Sequence, residues 1–483
     1  MKSLIRLRRF SSRAIFSGSL NKIRSFGSAS DTVALLGPFI IFVQPPTYSS
    51  CFEIQFKAED TQLCIGMIKM ASSFTWLDYS EKDRQKMLDI LSALKEHETR
   101  DELGIGVVRD AFSDMFFPGT STIQTRAKYF LFVSWMYRGL EEKKVPSSKI
   151  ERRARDEEVR LIYALLDSGD TNGVIGKDAK KNLQRLPSSI YWQGLEAWGI
   201  RLCPYSISDY HRSLDAFYKF GKDSLHTYEE EIDGCERRRN WHPGLPPAPD
   251  DFPSKASFSL TCEEACYLKE RVLARWPNTM LAYLLDSDMP SEPVPFPWDH
   301  PICPDLPESI REEIFHARNF SEAINGAALL YNLMLAEKAK ASGLQEYESM
   351  VSSFEDELVI WAVQLQSRMD ELDRWDYKGR FWEIVSHQGG ARPTGRTLLF
   401  IKEWLQMALS PTRARKIAEE DSARKLIHER ERQLKRNLAR LDNPEALARW
   451  SRDSSVRMAG QLRYRWRPAG TIISDILLGL RRS

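Results

Sequence analysis

No apolar run in this sequence approaches the ~20 residues that cross a bilayer. The longest candidate, Val33 to Val43, is interrupted by Gly37 and Pro38, so no membrane partner is expected. Cysteine is sparse and odd in number: Cys51, Cys64, Cys203, Cys235, Cys262, Cys266 and Cys303. That scatter excludes a disulfide framework and points to a reducing, cytoplasmic compartment. Catalytic signatures are missing as well. The chain has no G-x-x-x-x-G-K-[ST], since Gly173-Val-Ile-Gly176-Lys177-Asp178 has the wrong spacing and no hydroxyl for magnesium. Gly104-x-Gly106 lacks a preceding strand and a third glycine. No H-x-K, G-x-S-x-G or H-E-x-x-H occurs. Strand-like alternation is rare, and no internal repeat is found.

What is present is helical periodicity. Glu81 to His97 places Met87, Leu88, Ile90, Leu91 and Leu94 on one side, with charges opposite. Helices are expected over 122–142, 147–167, 177–185, 207–231, 308–343, 345–375, 379–386, 397–409, 412–440, 445–467 and 472–480, with a further one opening at the Thr261-Cys-Glu-Glu264 capping box. Asn240 to Pro253 (NWHPGLPPAPDDFP) and Asp288 to Pro307, with seven prolines, read as loops. The fold class is mainly α: a multi-helix protein of two or more helical subdomains with few short strands. The expected division is a leader over 1–69, an N-terminal helical domain over 70–240, proline-rich loops around a short helical insert over 241–310, and a C-terminal helical domain with a basic tail over 311–483.

The net charge of +2 conceals an asymmetry. Between Arg413 and Arg467 sixteen Lys or Arg face eight Asp or Glu, interleaved with Trp450, Tyr464 and Trp466. Such a tail can follow a nucleic-acid backbone, with Arg463, Arg465 and Arg467 as contacts. Its alternation of sign (Glu429-Arg430-Glu431-Arg432) also fits a self-paired, solvated helix. A second anion candidate is Gly389-Gly-Ala-Arg392-Pro-Thr394-Gly-Arg396-Thr397, where glycines admit close approach and a threonine caps the next helix beside Arg392 and Arg396; a connecting loop is the plainer account.

Metal-binding and DNA-reading motifs are incomplete. Asp170-Thr-Asn172-Gly173 imitates the middle of a calcium loop but lacks its first carboxylate and its bidentate glutamate. Cys262 and Cys266 lie one helical turn apart, with Cys235, His242, His300 and Cys303 in or beside the flanking loops. No short paired zinc spacing occurs among them, and no metal or cofactor is expected. Lys177 to Trp198 has the outline of a helix-turn-helix, but its second helix is poor in basic residues, and Trp192 and Trp198 fit a core better.

The stretch Phe117 to Tyr137, FPGTSTIQTRAKYFLFVSWMY, is the most distinctive in the chain. Its Phe-Pro-Gly turn, the hydroxyls Thr120, Ser121 and Thr122, and the polar row Gln124, Thr125, Arg126 and Lys128 precede an aromatic run. The aromatic face is expected to be structural, with any functional role falling to Gln124 and Arg126. This block, with Trp76-Leu-Asp78-Tyr79, Leu186-Pro-Ser-Ser-Ile-Tyr-Trp192 and Arg465-Trp466-Arg467…Ile472-Ile-Ser-Asp475, resembles a bacterial family catalogued only as a domain of unknown function, number 6361. The resemblance runs from about Met70 to the C-terminus. It implies a mobile-element or phage-defence context, with helicases or phospholipase D-like proteins as partners, and carries over no catalytic residue. Met70 resembles the family's start, so the acid-poor leader 1–69 is read as an upstream-start artefact or a dispensable arm. The expected function is therefore a non-catalytic component that binds nucleic acid or a DNA-processing partner. The alternative is a nuclease or effector enzyme whose carboxylate metal site is assembled from distant residues.

Overall fold

The computed structural model describes three short strands and residues 102–223, 239–287, 294–343, 347–387, 392–452 and 460–482. The helix expected over Glu81–His97, the segment around Trp76, most of the leader, and Cys51, Cys64 and Cys235 lie outside the described residues. Two units are distinguished, Met1–Leu88 and Asp89–Ser483. In the first, β1 (Thr32–Leu36), β2 (Phe39–Val43) and β3 (Gln55–Ala58) form an antiparallel meander in the order β1-β2-β3. Leu36 pairs with Phe39 across the β1–β2 turn, and Phe39 pairs with Ala58 on the other edge.

The second unit is mainly α. Its helices are α1 (Gly106–Phe116), α2 (Tyr129–Glu142), α3 (Ser147–Asp167), α4 (Pro187–Ala197), α5 (Ile207–Asp223), α6 (Cys262–Arg275), α7 (Met280–Asp286) and α8 (Glu308–Ala341). They continue with α9 (Glu348–Ser367), α10 (Met369–Leu372), α11 (Arg380–His387), α12 (Gly395–Ala408), α13 (Pro411–Ala414), α14 (Asp421–Lys435), α15 (Pro444–Arg452) and α16 (Trp466–Leu480). One continuous buried cluster runs from Leu103 to Ile476 and draws on helices throughout the described residues of this unit.

Two helices organise that cluster. Every residue of α2 from Tyr129 to Tyr137 is buried, as expected of a helix apolar on all sides. It packs against α3 and α4, and Phe130 stacks on Trp198 with ring centroids 4.0 Å apart. The second is α8, whose 34 residues span ~50 Å at 1.5 Å per residue. Helices α9, α12, α14 and α15 pack around it. Gly326 permits the α9 contact: a Cβ there would lie 2.4 Å from the Trp361 ring, which donates its indole N–H to the Glu322 carbonyl at 2.8 Å.

Several helix boundaries differ from expectation. The aromatic helix starts at Tyr129 rather than Thr122, and none of the three hydroxyls caps it. Residues 120–128 are instead held in turns by remote groups described below. Of the helix expected over 177–185 only a 3-10 turn at Lys180–Asn182 remains, so no helix-turn-helix forms; Trp192 and Trp198 are core residues, 3% and 0% exposed. The long helix expected over 412–440 is split, because Arg413 and Arg424 fold back onto the Glu420 carboxylate and the Ala418 carbonyl in the turn between α13 and α14. The last helix begins at Trp466, six residues before the expected Ile472, and Pro468 is tolerated in its first turn. The capping box at α6 forms as read: Thr261 Oγ1 accepts from Glu264 N–H, and Glu264 returns a bond to Thr261 N–H.

Candidate functional site

The polar row of the aromatic block faces inward. Gly119, at φ +79°, lies so close to Trp198 that a Cβ would approach the indole nitrogen to 2.5 Å. That indole donates to the Pro118 carbonyl at 2.9 Å, which fixes the Phe-Pro-Gly turn against α4. The Gln124 amide bridges this turn, donating to Gly119 O at 3.2 Å and accepting from Ser121 N–H at 3.2 Å. Tyr191 Oη accepts from the N–H groups of Thr125 and Arg126 and donates to Arg126 O.

Arg126 makes the longest-range contact of the block. Its Nε lies 2.9 Å from Asp475 Oδ2 on α16, and its Nη1 donates at 3.1 Å to both Asp170 Oδ2 and Asn172 O. Asp475 Oδ2 also accepts from Ala127 N–H at 2.9 Å. The calcium-like loop thus holds a guanidinium, with Gly173 packed on the Arg126 side chain and its carbonyl taken by Thr125 Oγ1. Lys128 forms a buried ion pair with Glu264, the capping-box glutamate, and donates to Ser259 O at 3.0 Å. Burial pushes the Lys128 ammonium below its usual range despite that partner. Gln124 and Arg126 therefore act as ties among the turn, the 170–173 loop and α16.

Much of the basic tail is similarly engaged. Arg424 pairs with both oxygens of Glu337 at 2.7 Å. Arg430 is buried and donates to Leu103 O, Gly104 O and Thr397 Oγ1. Lys435 and Arg440 converge on Glu102. The expected contact set Arg463, Arg465 and Arg467 does not present one exposed face. Arg465 is only 15% exposed and binds the Asp114 carboxylate and the Thr120 carbonyl, held by a left-handed backbone at φ +63°. Arg463 is half-buried over the Phe296 ring, and Arg467 alone of the three is exposed. At the other candidate, Thr394 caps α12 as expected by accepting from Thr397 N–H at 3.3 Å. Arg392 and Arg396 beside it are exposed and form no ion pair with a described residue.

Sequence reasoning passes over Arg432 and Arg436. With Asn437, Asp442, Asn443 and Pro444 they line an open concavity of about 590 Å³ between the end of α14 and the start of α15. Both are exposed and make no ion pair with a described residue. Asn443 Oδ1 caps α15 by accepting from Glu445 and Ala446 N–H, and Asp442 is held by His428 Nε2 at 2.6 Å. The alternating run suggests mutual pairing, yet Arg430 and Glu431 point inward and Glu429 pairs with Lys425, so Arg432 is left outward. The available signal is the offset of two residues from Arg430, which places Arg432 on the opposite side of the helix.

The zinc candidates are dispersed. Cys262 and Cys266 bring their sulfurs to 3.9 Å, while Cys303 faces Pro297 O, His300 Nδ1 accepts from Ile302 N–H, and His242 meets Arg271. Among the described residues no group of three or more His, Cys, Asp or Glu is placed to hold a metal ion, and no helix is long and apolar enough to cross a membrane.

A sequence profile described as a family of unknown function, DUF6361, matches residues 71–477. The chain belongs to this family. The match spans the block, the α6 capping box, both arginine regions and Asp475, so the ties of Arg126 lie wholly inside the DUF6361 region. No curated protein and no solved structure matches the chain.

Proposed function

We propose that this DUF6361 protein is a non-catalytic, cytoplasmic component of a bacterial mobile-element or phage-defence system, and that it binds a nucleic-acid backbone. The observation that carries the reading is the pair Arg432 and Arg436. They flank an open concavity of about 590 Å³ in a region where Arg413, Arg424, Arg430, Lys435, Arg440 and Arg465 are all engaged by the protein's own carboxylates or carbonyls. Guanidinium groups without an internal carboxylate are available for bidentate contact with phosphate. Asn437 and the capped start of α15 add polar groups and a helix N-terminus. Arg392 and Arg396 form a second, separately testable contact. The genomic context rests on the resemblance alone.

Fluorescence anisotropy with single- and double-stranded oligonucleotides at two salt concentrations tests this. Wild-type protein binds at low salt with little sequence preference, and affinity falls steeply as salt rises because counterions are released. The double variant Arg432→Gln/Arg436→Gln lowers the log–log salt slope by about 0.7–0.9 for each phosphate that is no longer neutralised. Absence of wild-type binding at low salt rejects the reading. Binding that ignores both this variant and Arg392→Gln/Arg396→Gln places the interface elsewhere.

A further inference from the structure

The helix that does not form over 177–185 leaves a cationic surface beside α3. In its place the chain turns at Lys180–Asn182, with Lys180 in a left-handed backbone at φ +48° that few residues other than glycine adopt. The turn is fastened to α3. Arg155 Nη2 donates to Lys181 O at 3.0 Å and to Leu183 O at 2.9 Å. Gly176 packs so closely on Leu183 and Ile162 that a Cβ would come within 2.6 and 2.9 Å of them. Arg155 is thus engaged by carbonyls, and the lysines it brings alongside α3 remain outside.

Six cations on this surface are exposed and form no ion pair with a described residue: Lys149, Arg152, Arg153, Lys180, Lys181 and Arg185. The exposed carboxylates among them, Glu151, Asp156 and Asp178, are half as many, and Glu157 is taken by Arg160 at 3.3 Å. Lys149, Arg153, Arg160 and Tyr163 recur at i, i+4, i+11 and i+14, so they share one side of α3. That stripe spans ~21 Å at 1.5 Å per residue. Tyr163, 42% exposed, ends it. Its hydroxyl bonds no described residue, and its ring meets no other aromatic ring among them.

Clustered guanidinium and ammonium groups without internal acids fit a chain of phosphates. An acidic protein partner would need apolar anchors at the centre of the contact, yet Tyr163 is the one large apolar side chain exposed between residues 147 and 185. A duplex hides its base faces, whereas a single strand offers them to an exposed aromatic ring in line with cations. We propose that the outward side of α3 and the 177–185 turn form a track for single-stranded nucleic acid, with phosphates on Arg152, Arg153, Lys180 and Lys181 and a base stacked on Tyr163. The proposal rests on the reading of this chain as a nucleic-acid binder. It adds the strandedness of the ligand and a face that does not include Arg432 or Arg436.

Fluorescence anisotropy of the full chain with an oligothymidylate of about 20 nucleotides, and with a blunt duplex of equal length, tests the proposal. Wild type binds the single strand more tightly by about fivefold or more. Arg152→Gln/Arg153→Gln/Lys180→Gln/Lys181→Gln weakens that binding by about tenfold or more and lowers the log–log salt slope by about 0.7 for each phosphate no longer neutralised. Tyr163→Ala weakens it about tenfold with the slope unchanged, as loss of one stacked base implies, and Tyr163→Phe binds as wild type does. These side chains bond no described residue, so melting temperatures stay level. Equal or tighter binding of the duplex overturns the proposal, as does single-strand binding that ignores the quadruple variant or Tyr163→Ala. Loss of binding in Arg432→Gln/Arg436→Gln with none in the quadruple variant rejects the α3 track and keeps the Arg432–Arg436 surface. The converse result keeps the track and rejects that surface. Wild type that binds neither oligonucleotide rejects both.

Discussion

Arg126 and Arg432 are the same side chain put to opposite uses. Arg126 is 16% exposed and closes on Asp475 and Asp170, with the Asn172 carbonyl and the Phe258 ring completing its surroundings. Arg432 is exposed beside an open concavity and pairs with no described carboxylate. The difference does not lie in local sequence, since each sits in a polar run with other charges nearby. It lies in whether the fold brings an acid to the guanidinium. A count of basic residues therefore overstates a binding surface, and the informative quantity is the number of cations left after internal pairing.

The comparison breaks most sharply if the block's aromatic face is not core. Phe130→Ala is expected to cost about 3–5 kcal/mol, as for buried aromatic truncations, because the ring is 0% exposed and stacked on Trp198. Urea denaturation measures it, and an unchanged midpoint means that the face is a docking surface.

Next in size is the tie itself. Arg126→Ala strands Asp475, which is 9% exposed, and is expected to cost about 3 kcal/mol. Much of that loss is the stranded charge, so Arg126→Met combined with Asp475→Leu is expected to recover part of it. Additive losses in this double-mutant cycle would show that the two residues do not act as a pair.

A third effect has the opposite sign. Glu158 is fully buried, and burial raises its carboxyl to about 7, only partly offset by the Ser188 N–H and hydroxyl. A carboxyl raised in the folded state favours folding while protonated. Its contribution is whole below the unfolded value near 4.5 and is lost as pH climbs through about 7. Glu158→Gln is therefore expected to be more stable than wild type by about 3 kcal/mol at pH 8 and equal to it at pH 4. Paired denaturation curves at the two pH values decide it, and a difference independent of pH would show that Glu158 keeps its ordinary carboxylate behaviour.

The smallest expected effect sharpens the outward side. Arg432→Gln/Arg436→Gln should change stability by no more than about 0.5 kcal/mol, as for surface substitutions away from structural ties. A large drop in melting temperature would mean that these arginines are engaged after all, and the contrast with Arg126 would disappear.

Local features are legible in the sequence and remote ones are not. Thr261 and Glu264 stand three residues apart, and their reciprocal bonds form as the spacing implies. The helix read over 308–343 is observed as Glu308–Ala341, with apolar periodicity sustained throughout. The aromatic helix starts seven residues later than its hydroxyls suggest, because its approach is governed by Tyr191 and Asp475, 65 and 348 residues away from the groups they hold. Arg465 looks available in the sequence because its partner, Asp114, lies 351 residues upstream. Arg432 escapes notice for the converse reason: alternating signs imply neighbours that the helix turns inward. The candidate surface is thus visible as a region and hidden as a set of residues.

The bond from Arg126 to Asp475 joins positions 349 apart, and this fixes an order of events during synthesis. When the ribosome has made α2, the residue that will fasten its entrance does not yet exist. The guanidinium, the Ala127 N–H and the 170–173 loop must wait until α16 emerges and locks them. Termination between α4 and Asp475 would therefore leave the Arg126 end of the aromatic block without its carboxylate partner.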